Sequence, residues 1–113
     1  MQKKIYNKLI RDKIPEIIRA DNEEPKVKIL NQKDYMIALK QKISEEAIEL
    51  IEAKNKDDVL NELVDLQELI DSTAKAYKIR KSTLISAQKG KNKKRGGFKK
   101  RLFLIETKVL DKK

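Results

Sequence analysis

Lys33 to Tyr77 reads KDYMIALKQKISEEAIELIEAKNKDDVLNELVDLQELIDSTAKAY, with no glycine or proline to interrupt it. Apolar residues recur at helical spacing on either side of Asn55. Leu39, Ile43, Ala47, Leu50 and Ile51 precede it; Leu60, Leu63, Val64, Leu66, Ile70, Ala74 and Tyr77 follow it. The pattern predicts two helices, Lys33–Lys54 and Asp57–Tyr77, folded back on each other at a break near Asn55. Asp57 and Asp58 favour the second start because negative charge complements the helix dipole there. The fold class expected is all-α: an antiparallel helical bundle completed by oligomerisation, with a minor two-stranded β element.

The break sets a register for the acids. Glu49 lies six residues before Asn55 and Glu62 seven after; Glu46 lies nine before and Asp65 ten after. At ~1.5 Å rise per residue, an antiparallel hairpin puts Glu49 level with Glu62 and Glu46 level with Asp65. Each helix supplies its pair at i, i+3, on one face. Stepping ~100° per residue places Glu46 between Leu39 and Leu50, within the apolar arc, with Glu49 beside it. Glu62 falls between Leu66 and Leu69, and Asp65 lies at the arc's edge. Glu45, by contrast, points away, as does Glu52. A carboxylate on a buried face costs several kcal/mol unless it is paired or bound to a cation, and few basic partners stand nearby in sequence. Glu46, Glu49, Glu62 and Asp65 are therefore the candidate ligands of a divalent metal. Charged helices also carry solvated acids that pair with lysines at i+4, which accounts equally for Glu45, Glu52 and Glu68.

Composition narrows the chemistry. The chain of 113 residues has no cysteine and no histidine, so thiolate or imidazole ligands, a Ser-His-Asp triad and a Cys-His pair are all excluded. An oxygen-only site suits Mg²⁺, or Mn²⁺, rather than zinc. Hydrophobic residues make up 39% and charged residues 41%, thin for a deep monomeric core. No apolar run approaches the ~20 residues of a membrane span and no signal-peptide core follows Met1, so a soluble, cytoplasmic protein without a membrane partner is expected. The net charge of +10 hides an asymmetry: residues 45–71 hold ten acids and two lysines, whereas Lys75–Lys113 holds fifteen basic residues and two acids. An acidic patch in a basic surround suits a metal with a polyphosphate; the basic stretch alone suits nucleic acid or plain solubility.

Outside the hairpin, Asp12 is a candidate N-cap for a short helix with Pro15 in its first turn and Ile14, Ile17 and Ile18 on its apolar face. Lys26–Leu30 and Leu102–Ile105 are short extended candidates that could pair. A further helix is expected from Ser82 toward Lys93, ended by Gly96-Gly97. The whole is read as one domain, 1–113, with a basic, partly flexible segment at 89–113. Two groups of cations could hold phosphate oxygens: Lys8 and Arg11 near the start, and Lys91 and Arg95 before the glycines, where Arg95 offers a bidentate fork. Both groups read equally as solvated surface charge.

The acidic pattern, Glu45-Glu46-Ala-Ile-Glu49 and then Glu62-Leu-Val-Asp65, resembles the EExxE…ExxD signature of the MazG-like, all-α nucleoside triphosphate pyrophosphohydrolases. Asn7-Lys-Leu-Ile-Arg11-Asp-Lys-Ile-Pro15 and Arg95-Gly-Gly-Phe-Lys-Lys-Arg101-Leu-Phe-Leu resemble the terminal motifs of a small single-domain subgroup, so the likeness spans residues 6–104. It implies Mg²⁺-dependent cleavage of a nucleoside triphosphate to monophosphate and pyrophosphate, a house-cleaning hydrolase activity. It implies metal binding by Glu46, Glu49, Glu62 and Asp65, the four selected above, with Glu45 positioning water and Glu45 or Glu49 taking its proton. It also implies a homodimer or homotetramer. Phosphoribosyl-ATP pyrophosphohydrolases carry a related signature and are the near alternative. A basic helical module binding nucleic acid through Lys89–Arg101 is a second; the acidic stretch and the scarcity of aromatics for base stacking count against it. A purely structural helical dimer is a third.

Overall fold

The computed structural model describes residues 2–111 and contains four helices: α1 Ile14–Ala20, α2 Gln32–Glu52, α3 Lys56–Ala76 and α4 Lys81–Arg95. Among the described residues there is no strand; residues 27–30 and 102–105 are irregular. No helix is long and apolar enough to cross a membrane. The chain divides into two compact units, Met1–Lys81 and Ser82–Lys113.

In the first unit, α2 and α3 pack as the antiparallel hairpin. Each begins on an asparagine: the Asn31 side chain accepts from the Asp34 amide at 2.8 Å and the Asn55 side chain from the Asp58 amide at 2.9 Å. Asn55 also donates to the Asp58 carboxylate at 3.1 Å, so the cap is reciprocal. Asn55 thus ends the connection by satisfying an otherwise orphaned donor of α3. At the open end, the Gln32 side chain donates to the Ala76 carbonyl at 3.2 Å, and the Lys40 ammonium lies 5.2 Å from the centre of the Tyr77 ring. These contacts fix the register from both ends.

α1 starts one residue later than the sequence suggests. Its N-cap is Lys13, with no side-chain cap; Arg11 closes the entry turn by accepting from the Ile14 amide at 3.1 Å. Pro15 in the first turn has no N–H to donate and so needs no acceptor, which leaves a side-chain cap less to satisfy there. α1 and α3 both end in left-handed caps. Asn22 (φ 63°) and Lys78 (φ 58°) take the turn, and the next amides, Glu23 and Ile79, return to Ile18 and Ala74.

The interior is slight. Leu39, 1% exposed, is the one buried apolar residue among those described. The face of α3 toward α2 carries Val59, Glu62, Asp65, Leu66, Leu69 and Thr73, all partly covered. A second stripe, Leu60, Leu63, Val64, Ile70 and Tyr77, is exposed, and α2 likewise exposes Ile37, Ile48 and Ile51 (82%). Half of the apolar arc read from the sequence is therefore exposed.

In the second unit, α4 runs two residues past the expected end, to Arg95. Gly96 (φ 83°) then takes the left-handed conformation and its amide donates to Asn92 at 2.7 Å. Lys91, Arg95, Phe98 (98%) and Leu102–Ile105 are exposed.

Candidate metal centre

The i, i+3 spacing within α2 and α3, and the turn at Asn55, bring carboxylates from two helices together. Glu46, Glu62 and Asp65 each place an oxygen within 4.8 Å of the others, and so do Glu45, Glu46 and Glu49. Glu46 belongs to both groups. Glu46 is the hub: it lies close to Asp65, with which the register paired it, and also to Glu62, one turn away on α3.

Glu46 is 6% exposed although charged residues are almost never so buried without a partner. Its Oε2 and the Oε2 of Glu62 are buried and accept no hydrogen bond from the protein. Burial pushes the Glu46 carboxyl from its ordinary 4.5 up to about 7, and the neighbouring carboxyls of Glu62, Glu49 and Asp65 push the same way. A carboxyl crowded by other carboxylates holds a proton that a cation would replace. Two orphaned buried oxygens on facing helices, with a third carboxylate in reach, fit a hard divalent cation: all donors are oxygen, and the charge a cation brings removes the repulsion.

The surrounding cations are the part the sequence hid. Arg11 donates to Asp65 Oδ1 at 2.7 Å, across 54 residues of sequence. Lys8 lies 3.7 Å from Glu45 Oε1. Lys42, one turn before the acids on α2, sits 3.4 Å from Glu45 Oε1 and 3.7 Å from Glu46 Oε1. The sequence reading placed few basic partners near these acids; the i, i+3 and i, i+4 relations of Lys42 to Glu45 and Glu46 were the available signal. Glu45, expected to point away, joins the group through these contacts. Lys8 and Arg11, read as phosphate ligands, here contact carboxylates instead. Lys91 and Arg95 belong to the second unit. Beside Glu45, a cleft of about 90 Å³ lies between Asn7–Leu9 and the α2 residues Ala38, Gln41 and Lys42.

No family model matches the chain, and no solved structure matches it. A relative from Mycolicibacterium smegmatis, described only as an uncharacterized protein, is 42% identical over 52 residues. That match covers 46% of this chain and 53% of the relative, so the chain spans about half the length of the curated relative it matches.

Proposed function

We propose that this chain is a Mg²⁺-dependent nucleoside triphosphate pyrophosphohydrolase of the MazG-like kind, releasing nucleoside monophosphate and pyrophosphate. One observation carries the reading: Glu46 and Glu62 each bury an Oε2 without a hydrogen-bond partner, and these two residues and Asp65 bring oxygens within 4.8 Å of one another across the hairpin. A structural role alone would favour apolar residues or a closed ion pair at that position. The motif resemblance supplies the reaction class.

Glu46, Glu49, Glu62 and Asp65 would hold Mg²⁺, with Mn²⁺ as a substitute. Bound there, the cation supplies neutralising charge to the phosphate oxygens and lowers the pKa of water. Glu45 or Glu49 accepts the proton of the attacking water; Glu49 is the more exposed of the two. Lys8 and Arg11 hold phosphate oxygens, and the sequence assigns Lys91 and Arg95 to the same task. The exposed stripes of α2 and α3 support assembly as a homodimer or homotetramer.

The test is a panel of nucleoside triphosphates with Mg²⁺, read by whether pyrophosphate or orthophosphate appears. Pyrophosphate from one or more substrates, lost in Glu46→Gln and Glu62→Gln, supports the reading. Orthophosphate alone, or turnover that survives both substitutions, overturns it. Oligonucleotide binding with a steep salt dependence and no triphosphate cleavage would favour the basic nucleic-acid-binding module, to which the exposed Lys89–Arg101 stretch is suited.

A further inference from the structure

The first short segment of the chain makes contacts that a substrate-binding role does not account for. Residues 2–11 form no regular secondary structure, yet Arg11 and Lys8 reach Asp65 and Glu45 on two different helices. We infer that Lys8 and Arg11 form a cationic strap that occupies the carboxylate cluster when no divalent cation is bound, and that cation entry releases it. The inference rests on the metal-centre reading above and adds a competition that reading does not contain.

Three features support the exchange. The first is charge. Lys8 and Arg11 together carry the same charge as one Mg²⁺ or Mn²⁺, so replacing the strap by the cation leaves the cluster's balance unchanged, while Lys42 stays in place on α2. The second is the manner of attachment. Leu9 and Ile10 are half-buried between the two exposed cations, whereas the charged ends reach the cluster through ion pairs, with the Tyr6 ring 5.6 Å from the Lys8 ammonium. Both pairs are substantially exposed, 55% and 30% for Arg11 and Asp65, and 40% and 38% for Lys8 and Glu45. Such pairs contribute little each, so a doubly charged ion displaces them readily. The third is room. The cleft beside Asn7 and Lys8 separates the strap from Ala38 and Gln41, so Lys8 can swing without repacking α2. Asn7 (φ 46°) takes a left-handed turn just before it, a conformation asparagine tolerates.

Released, both side chains stand beside the cation with nothing to neutralise them. That is where the phosphate oxygens of a triphosphate would lie. The strap therefore delivers its cations to the substrate only after the metal has bound, which makes cation binding precede productive binding of the anion.

The experiment uses the full chain, without nucleotide. Mn²⁺ affinity is measured by electron paramagnetic resonance for the natural sequence, Arg11→Gln, Lys13→Gln and Glu46→Gln. The Arg11 guanidinium resonance is followed by NMR during a Mg²⁺ titration. Arg11→Gln is expected to bind Mn²⁺ about two- to fivefold more tightly, the range one weak exposed pair allows. Lys13→Gln, which removes a nearby charge that makes no carboxylate contact, should change affinity by less than twofold. The Arg11 resonance should move to its solvated position as Mg²⁺ saturates. An Arg11→Gln affinity equal to or weaker than the natural one, or a gain matched by Lys13→Gln, overturns the strap. So does an Arg11 signal that stays put at saturation. If the strap fails these tests while Glu46→Gln still abolishes Mn²⁺ binding, the metal centre stands alone. Failure of both the natural chain and Arg11→Gln to bind Mn²⁺ removes the centre and the strap together; binding by Arg11→Gln alone supports both.

Discussion

The two faces of α3 reverse the usual partition. Toward α2 it presents Glu62 and Asp65 among Leu66, Leu69 and Thr73; away from α2 it presents Leu60, Leu63, Val64 and Ile70 to solvent. α2 repeats the pattern, with Glu46 inside and Ile37, Ile48 and Ile51 outside. A hairpin optimised as a monomer would exchange these sets, since apolar burial drives folding and buried charge opposes it. Each face is therefore incomplete by itself. The inner one lacks a counter-charge that the strap and Lys42 supply only in part. The outer one lacks an apolar partner. On the reading proposed here a divalent ion completes the first and a second copy of the chain completes the second.

The sharpest way to break this contrast is on the inner face. Glu46→Gln and Glu62→Gln keep shape and remove charge, and each is expected to lower Mg²⁺-dependent turnover at least about 100-fold, roughly 2.7 kcal/mol of barrier. Circular dichroism should show unchanged helicity. The outer face is tested by Leu63→Glu. On a monomer this exposed substitution should move stability by less than about 0.5 kcal/mol. Across an interface a buried, unpaired charge costs several kcal/mol, so light scattering should report dissociation to monomer. A natural chain that is already monomeric at micromolar concentration would remove the case for the outer face while leaving the inner one intact.

The hairpin, its turn at Asn55 and the choice of Glu46 as an inward acid were legible because they depend on local periodicity and on distance from one break. The hub geometry was less so. A register counted in whole residues makes level pairs, whereas side chains reach along the helix, and Glu46 lies close to both Glu62 and Asp65. The Arg11–Asp65 contact was out of reach, since nothing local to either residue encodes a meeting across 54 positions. Lys42 was legible in principle, from its i, i+3 and i, i+4 spacing to Glu45 and Glu46. The division of the α3 arc into an inner and an outer stripe was also hidden: a wide apolar arc looks the same in sequence whether one partner or two cover it.

The proton on Glu46 gives a smaller, graded test of the same inner face. With its pKa raised to about 7 in the folded chain against 4.5 for the free group, the native state binds more protons than the unfolded state between these values. The contribution of this group is full below pH 4.5 and is lost as pH rises through 7. The loss is at most about 3.5 kcal/mol at ~1.4 kcal/mol per unit. Denaturant titrations in EDTA at pH 5, 6, 7 and 8 would measure it. Glu46→Gln should flatten the slope, and saturating Mg²⁺ should restore stability at the alkaline end, because an ion that binds only the native state adds to its stability. A rising profile in EDTA would mean that Lys42 and Arg11 already neutralise the cluster.

The smallest expected effect lies where α3 leaves the hairpin, and it tests whether the outer face is bounded by local rules or by a partner. Three helices end in a left-handed residue: Asn22 after α1, Gly96 after α4 and Lys78 after α3. The first two are residue types that accept this conformation; Lys78 is not, and its Cβ crowds the neighbouring carbonyl by about 1–2 kcal/mol. The cap nevertheless closes well, with the Ile79 amide 2.8 Å from the Ala74 carbonyl and the Lys78 amide 3.0 Å from that of Lys75. Lys78→Gly removes the crowding, while the freer unfolded chain offsets roughly half of the gain. The net expectation is a stabilisation of about 0.5–1 kcal/mol, read as a higher denaturant midpoint at constant slope. A loss of stability instead would mean that the Lys78 side chain contributes more through contacts than its backbone strain costs. Such contacts, at the end of the exposed stripe beside Tyr77, come either from this chain or from a neighbouring copy, and repeating the titration across protein concentrations separates the two origins.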